Sequence, residues 1–257
     1  MEINLNADLG ESFGPWKMGD DATMLKLVGS ASIACGFHAG DPLIMRRTLR
    51  TAKRHDVSVG AHPAFPDLQG FGRRPMHMAA DELQAMILYQ LGALAGMAKA
   101  EGLPMSHVKP HGALSNMASK DASLAQHVAR AVRSFDADLI LLAPAGSRLA
   151  DAGQAEGLRV AGEIFADRAY TETGHLMPRS QPGAVLTEQT ACVEHVLRML
   201  DAGGIVTASG KTLPLVFHSI CVHGDSPHAT ATARAVQAAL VDTGCRLKTL
   251  PDMAALR

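Results

Sequence analysis

The sequence predicts an α/β fold, specifically a seven-stranded (β/α) barrel, from two observations. Short apolar or alternating runs recur between amphipathic helical stretches, giving seven strand–helix units with no linker rich in proline, glycine or serine. That rhythm implies a parallel sheet with right-handed crossovers. The second observation favours a closed sheet over an open one. Polar residues able to do chemistry follow nearly every strand. An open doubly wound sheet gathers its site at one switch point, whereas a barrel brings all its strand ends to one mouth. The 257 residues are read as one barrel domain spanning 1–257.

Residues 3–7 alternate apolar and polar at period two and predict the first strand, which runs into a glycine-punctuated loop carrying Asp8 and Glu11. A helical segment at 21–28 precedes an apolar strand at 31–35, then a turn with His38 and Asp41. Pro42 opens a helix over 41–55, a position where no amide donor is needed. The strand at 57–61 ends on His62, and a long loop, 65–75, carries Arg73 and Arg74. Residues 81–101 predict a helix with Asp81 near its start and Gly102 past its end.

The strand at 106–109 delivers Lys109 and His111, and a helix follows at 121–135. Residues 139–143 form an apolar strand closed by Pro144, with a helix at 147–156. The strand at 159–164 ends on Glu163 and Asp167, and a loop at 169–182 holds Tyr170, His175 and Arg179. A helix at 187–200 leads to two strand-like runs around Gly210 and Lys211, a hairpin pattern. The last strand, 219–222, is tipped by His223 and Asp225, with a helix at 227–242.

Composition narrows the function. A formal charge of −1, with 47% hydrophobic and 19% charged residues, gives no electrostatic reason to expect nucleic acid or an acidic membrane as partner. Cys35, Cys192, Cys221 and Cys245 are scattered without a CxxC pair, which argues against a zinc finger or disulfide framework and fits a reducing cytoplasm. The chain opens on a strand-like run without a signal-peptide pattern, and no apolar stretch approaches a membrane span. A soluble cytoplasmic protein is expected.

Any single strand-end residue has a plain structural explanation. A lone histidine there is ordinarily a turn or core residue, and an aspartate before a helix is ordinarily its cap, as Asp41 or Asp225 would be. His38, His62, His111 and His223 all follow strands closely, and that recurrence points to a shared pocket. Imidazoles and carboxylates together either hold a divalent metal that acidifies a water, or act as general base and general acid near neutral pH. Lys109 suits an oxyanion or a salt bridge to a neighbouring strand end. Arg73 and Arg74 suit a substrate carboxylate or phosphate, or a solvated loop.

Two other motifs are set aside. The run from Gly204 to Thr212 has five residues between its glycines rather than the four of a phosphate loop, and no helix follows it. No serine sits in a G-x-S-x-G elbow, and Cys35 and Cys221 lie inside apolar runs.

Taken together, NADLGE at 6–11, ACGFHAGDP at 34–42, GAHP at 60–63 with GFGRR at 70–74, VKPHGAL at 108–114, EIFADR at 163–168 and CVHGD at 221–225 resemble the LamB/YcsF family. The resemblance runs in order from residue 4 to about residue 225, and Ser115 departs from the tyrosine usual after Gly-Ala-Leu. It implies a TIM-like seven-stranded barrel related to the polysaccharide-deacetylase fold. It also implies ATP-dependent cleavage of 5-oxo-L-proline to L-glutamate, the chain being the A component of a 5-oxoprolinase with partner subunits B and C. ATP would bind this chain or a partner, and a divalent metal is open, with Asp8, His38 and His62 as candidate ligands.

On this reading Asp8, His38, His62, Lys109 and His111 are the candidate catalytic residues. Glu11, Asp41, Arg73, Arg74, Glu163, His223 and Asp225 are the candidate substrate-binding residues. The alternatives are a metal-dependent deacetylase of N-acetylated carbohydrate, and a lactam-binding subunit without chemistry of its own. A homo-oligomer is left open.

Overall fold

The computed structural model describes residues 1–224 and 228–257. In chain order the elements are β1 (Glu2–Leu9), α1 (Asp21–Met24), β2 (Ser30–Ala34), α2 (Pro42–Arg54), β3 (Ser58–His62), α3 (Ala80–Ala100), β4 (Met105–Val108), α4 (Gly112–Ala118) and α5 (Ala122–Phe135). They continue with β5 (Ile140–Pro144), α6 (Arg148–Ala155), β6 (Arg159–Phe165), α7 (Gln189–Ala202), β7 (Gly204–Val206), β8 (Thr212–Pro214), β9 (Ser219–Cys221), α8 (Ala229–Asp242) and β10 (Arg246–Leu247). Strands β1 to β6 and then β9 pair in sequence, all parallel, and β9 pairs back onto β1. The expected seven-stranded barrel is therefore closed. The phosphate-loop look-alike is the antiparallel hairpin β7–β8, outside the barrel.

Period-two alternation on β1 decides what fills the barrel. Ile3, Leu5, Ala7 and Leu9 belong to the main apolar cluster, together with residues of the surrounding helices such as Leu49, Ile87 and Val236. The opposite parity, Asn4, Asn6 and Asp8, enters polar layers inside the barrel. Asn4 bonds Ser30 and Ser219, and Asn6 bonds Glu163 and Ser219, at 2.7–2.9 Å. Each buried polar atom so paired avoids the cost of about 1–3 kcal/mol that an orphaned one carries. Below these layers, Ile140, Leu142 and Ala161 pack against Leu250, Met253 and Leu256 of the C-terminal segment, which plugs that end with a dry contact. The polar chemistry is thus confined to the other end, where the strands terminate.

The helices begin where caps are available. Asp41, Asp121 and Ser147 each accept from backbone N–H groups of the first turn of α2, α5 and α6. Helix α2 turns Met45, Leu49 and Ala52 inward. Two differences from the sequence reading have local causes. The helix expected over 21–28 stops at Met24, and α4 is an element the sequence reading lacks. Helix α4 has seven residues, including Ser115 and Asn116, too short a run to show helical periodicity.

Inside the barrel His107 is fully buried between Ser32 and Ser106, against Gly60, where a Cβ would collide with its ring. Burial, then the nearby Lys109 ammonium, pushes the His107 pKa down to about 3. The folded protein therefore keeps this imidazole neutral, while the unfolded chain protonates it near pH 6.5. His38 and His111 shift the same way, so the unfolded state binds more protons as pH falls below about 6.5. His223 is raised and acts oppositely: its contribution is present below its unfolded pKa and is lost as pH rises through its folded one. His175, His195 and His218 are lowered as well, and six histidines against one set the sign. Urea denaturation is expected to show stability falling from pH 7 to pH 5, by about 1.4 kcal/mol per pH unit for each uncompensated histidine. A flat profile over that range would contradict this accounting.

Candidate functional site

Strand ends and the loops after them enclose a cavity of about 420 Å³ lined by Asp8, Glu11, His62, Lys109, His111 and His223, with Arg73, Arg168 and Arg179 among its further wall residues. Asp8 is the penultimate residue of β1, His62 ends β3, and Lys109 directly follows β4. Side chains more than 100 residues apart in sequence therefore meet at one mouth, as parallel strands in a barrel require.

Its floor is an ionic network. Lys109 Nζ lies 2.8 Å from Asp8 Oδ1 and 2.8 Å from Glu163 Oε1, with Asn6 Oδ1 at 3.3 Å and Cys221 Sγ at 3.1 Å. Burial works against the ammonium, but Asp8, then Cys221 and Glu163, hold its pKa well above the usual lysine range. Burial likewise opposes the Asp8 anion, and His62 and Lys109 overcome it, holding the carboxyl well below its ordinary value. Glu163 goes the other way, raised chiefly by burial despite Lys109, and its Oε2 finds no partner among the described residues. An ammonium has three donors. Asn6 Oδ1 and Cys221 Sγ accept hydrogen bonds from it, and Asp8 and Glu163 pair with its charge, so Lys109 holds Asp8 ionised and in place.

Beside this network stands a histidine cluster. His62 Nδ1 lies 2.6 Å from the Lys109 carbonyl, and His111 Nε2 lies 2.8 Å from the Phe71 carbonyl. His111 Nδ1 sits 2.9 Å from His62 Nε2, and His38 stacks on His111 with ring centroids 3.9 Å apart. His38 Nε2 is 3.1 Å from Glu11 Oε1. Burial, then the neighbouring His62, depresses the His38 pKa, so this contact is a hydrogen bond rather than an ion pair. The Phe71 carbonyl reaches His111 because Gly72, at φ +63°, packs where a Cβ would strike both His38 and His111. Glu11, His38, His62 and His111 offer ligand atoms all within 4.8 Å of one another, as do Asp8, Cys221 and His223.

Across the cavity His223 Nδ1 is held by both Asp167 oxygens, at 2.8 and 2.9 Å, and its ring stacks on Phe165. Burial would lower the imidazole pKa, but Asp167 more than offsets it, and the net shift is upward. The protonated ring is therefore more favoured here than in a free imidazole, and in that form Nε2 is its second donor.

Several expected site residues take other positions. Asp41 is spent as the cap of α2, accepting from Leu43, Ile44 and Gly14 N–H groups. Arg74 pairs with Asp67, which also accepts from the Gly70 N–H, so its charge closes its own loop. Neither Asp41 nor Arg74 lines the cavity. Glu163 lies beneath Lys109 rather than in the wall, because its strand position faces the barrel interior. His38 stands behind His111 and opens on an adjoining 320 Å³ cavity that shares Glu11, Phe71 and Arg73 with the first. Of the expected ligand trio, His38 and His62 cluster with Glu11 and His111, while Asp8 pairs with Lys109 through Oδ1 and stands 3.3 Å from His62 Nε2 through Oδ2. Asp225 lies outside the described residues.

Asn6, Asp167 and Arg179 are brought to the site without having been assigned roles. Asn6 was recoverable, since it shares the parity of Asp8 on β1. Asp167 was recoverable only as a strand-end carboxylate of unknown partner. Arg168 also lines the wall, but it donates to the Met177 and Ala184 carbonyls and so braces the 169–182 loop over the cavity.

The profile of the LamB/YcsF family matches residues 3–255. A protein of Azoarcus sp. (strain BH72), named as the A component of 5-oxoprolinase, is 63% identical over 98% of this chain and 99% of its own length. The crystal structure of the lactam utilization protein from Thermus thermophilus superposes with a TM-score of 0.90 at 43% identity, covering 97% of this chain and 100% of that one. The catalytic domain of a peptidoglycan N-acetylglucosamine deacetylase from Eubacterium rectale ATCC 33656 shares the fold alone, with a TM-score of 0.51 at 11% identity over 98% and 89% of the two chains. Family match, identity and superposition agree over nearly the whole length, and this chain belongs to the LamB/YcsF family.

Proposed function

We propose that this chain is the lactam-opening component of an ATP-dependent 5-oxoprolinase that acts with partner subunits B and C. One observation carries the reading: Asp8, paired with Lys109, and His223, held by Asp167, line the same cavity, with arginines on its wall. Relatives named as the A component of 5-oxoprolinase support the choice of substrate. Among the described residues no helix is long and apolar enough to cross a membrane.

A five-membered lactam is an unreactive amide, and phosphorylation of its oxygen by ATP makes the ring carbon open to attack. Water then adds to that carbon while Asp8 Oδ2 accepts its proton, with Lys109 holding the carboxylate in register. The carbon–nitrogen bond breaks as His223 Nε2 delivers a proton to the departing ring nitrogen. The acyl phosphate so formed takes up a second water and releases phosphate and glutamate. Arg73 and Arg179 suit the substrate carboxylate, which a guanidinium binds through two parallel hydrogen bonds. ATP is assigned to a partner, since the run from Gly204 to Thr212 is a hairpin rather than a phosphate loop.

Glutamate release by the purified chain, alone and with subunits B and C, tests the assignment. No release is expected without the partners and ATP, and release with both. Full turnover by the isolated chain without ATP would overturn it.

A further inference from the structure

We infer that Glu11, His38, His62 and His111 form a binding site for one divalent transition-metal ion of the zinc type. Hydrogen-bond accounting carries the inference. A carbonyl oxygen only accepts, so the Lys109 carbonyl fixes a hydrogen on His62 Nδ1, and the Phe71 carbonyl fixes one on His111 Nε2. A ring that carries only that hydrogen has a lone pair on its other nitrogen, His62 Nε2 or His111 Nδ1. These two nitrogens face each other at 2.9 Å. Asp8 Oδ2 stands 3.3 Å from the first and Glu11 Oε1 3.7 Å from the second, so acceptors face acceptors. A cation placed among them would engage these acceptors together.

The spacing suits an ion. Tetrahedral zinc with nitrogen and oxygen ligands at about 2.0–2.1 Å places neighbouring ligand atoms about 3.3 Å apart. Three of the six contacts, 2.9 Å for His62–His111, 3.1 Å for His38–Glu11 and 3.7 Å for His111–Glu11, bracket that value, and the whole set lies within 4.8 Å. Three imidazoles and one carboxylate form a ligand set that zinc and its neighbours accept. Both carbonyl contacts are also the outer hydrogen bonds that orient metal-bound histidines. His38 differs, because its buried Nδ1 finds no partner among the described residues. Its Nε2 is the atom that faces Glu11. Asp8 stays outside the set, its Oδ1 committed to Lys109. Cobalt(II) reports such a site directly, independently of the proposed reaction.

The test is titration of the purified full chain, freed of metal by a chelator, with Co²⁺ and then Zn²⁺. One equivalent of Co²⁺ is expected to give the intense visible bands of four-coordinate cobalt, which Zn²⁺ removes. Outer-shell changes cost about 10–100-fold in metal affinity, so losing a direct ligand in His38→Gln or His111→Gln is expected to cost about 100-fold or more. Asp8→Asn is expected to keep the stoichiometry and the bands. Circular dichroism establishes that each variant is folded, and the wild-type titration is decisive whether or not they are. Absence of stoichiometric binding by the folded wild type would overturn the inference, as would unchanged affinity in both folded histidine variants. So would nitrogen NMR showing a proton shared between His62 and His111 that added metal does not displace. Metal binding without lactam cleavage would leave the site standing and count against the proposed reaction.

Discussion

Replacing Lys109 with methionine is expected to cost about 3–5 kcal/mol of stability at pH 8, the penalty for stripping a buried ion pair of one partner. Asp8 and Glu163 both lie 2.8 Å from the ammonium. Without it, two buried carboxylates face each other, and at least one takes up a proton. The carboxyl pKa in the folded variant then lies above its unfolded value. By linkage, that term adds stability as pH falls toward the raised pKa and removes it as pH rises. The deficit relative to wild type is therefore expected to narrow between pH 8 and pH 5.5. Lys109→Met combined with Glu163→Gln removes the repulsion and is expected to recover part of the loss. Urea denaturation of the three proteins at the two pH values checks this. A Lys109→Met protein as stable as wild type at both would show that the network is not holding Asp8 ionised.

Asp167→Asn is expected to lower kcat for glutamate formation on the order of 100-fold, within the range general acid catalysis contributes, while KM changes less than about threefold. Asp167 acts through His223, accepting its Nδ1–H through both oxygens, so it is a positioning residue. Without that carboxylate only the Asp8 charge still opposes burial, and the imidazole pKa falls. In the proposed reaction the protonated ring delivers the proton, so the alkaline limb of the pH–rate profile is expected to move to lower pH. A loss of activity with an unmoved alkaline limb would mark Asp167 as structural only. His223→Asn is expected to remove that limb altogether.

The convergence of Asp8, His62, Lys109 and His223 was legible because strand ends in a parallel barrel share one mouth, and all four line the same cavity. What was hidden was side-chain direction and local competition. Asp41 follows a strand as His38 does, yet an aspartate before Pro42 meets three N–H groups first and caps the helix. Arg73 and Arg74 are adjacent and chemically alike, but the turn holding Asp67 claims Arg74 and leaves Arg73 over the Phe71 ring at the cavity. Glu163 reads as a strand-end acid, and parity along β6 puts it under Lys109 instead. Parity on β1 would equally have revealed Asn6. The pairing of Asp167 with His223 joins residues 56 apart in sequence, and no local pattern encodes it.

The most direct test is a structure of this chain together with the proposed partner subunits and 5-oxo-L-proline. The lactam is expected in the cavity of this chain, its ring carbon beside Asp8 and its nitrogen within reach of His223 Nε2. A lactam bound wholly within a partner, with Asp8 and His223 facing solvent, would contradict the account.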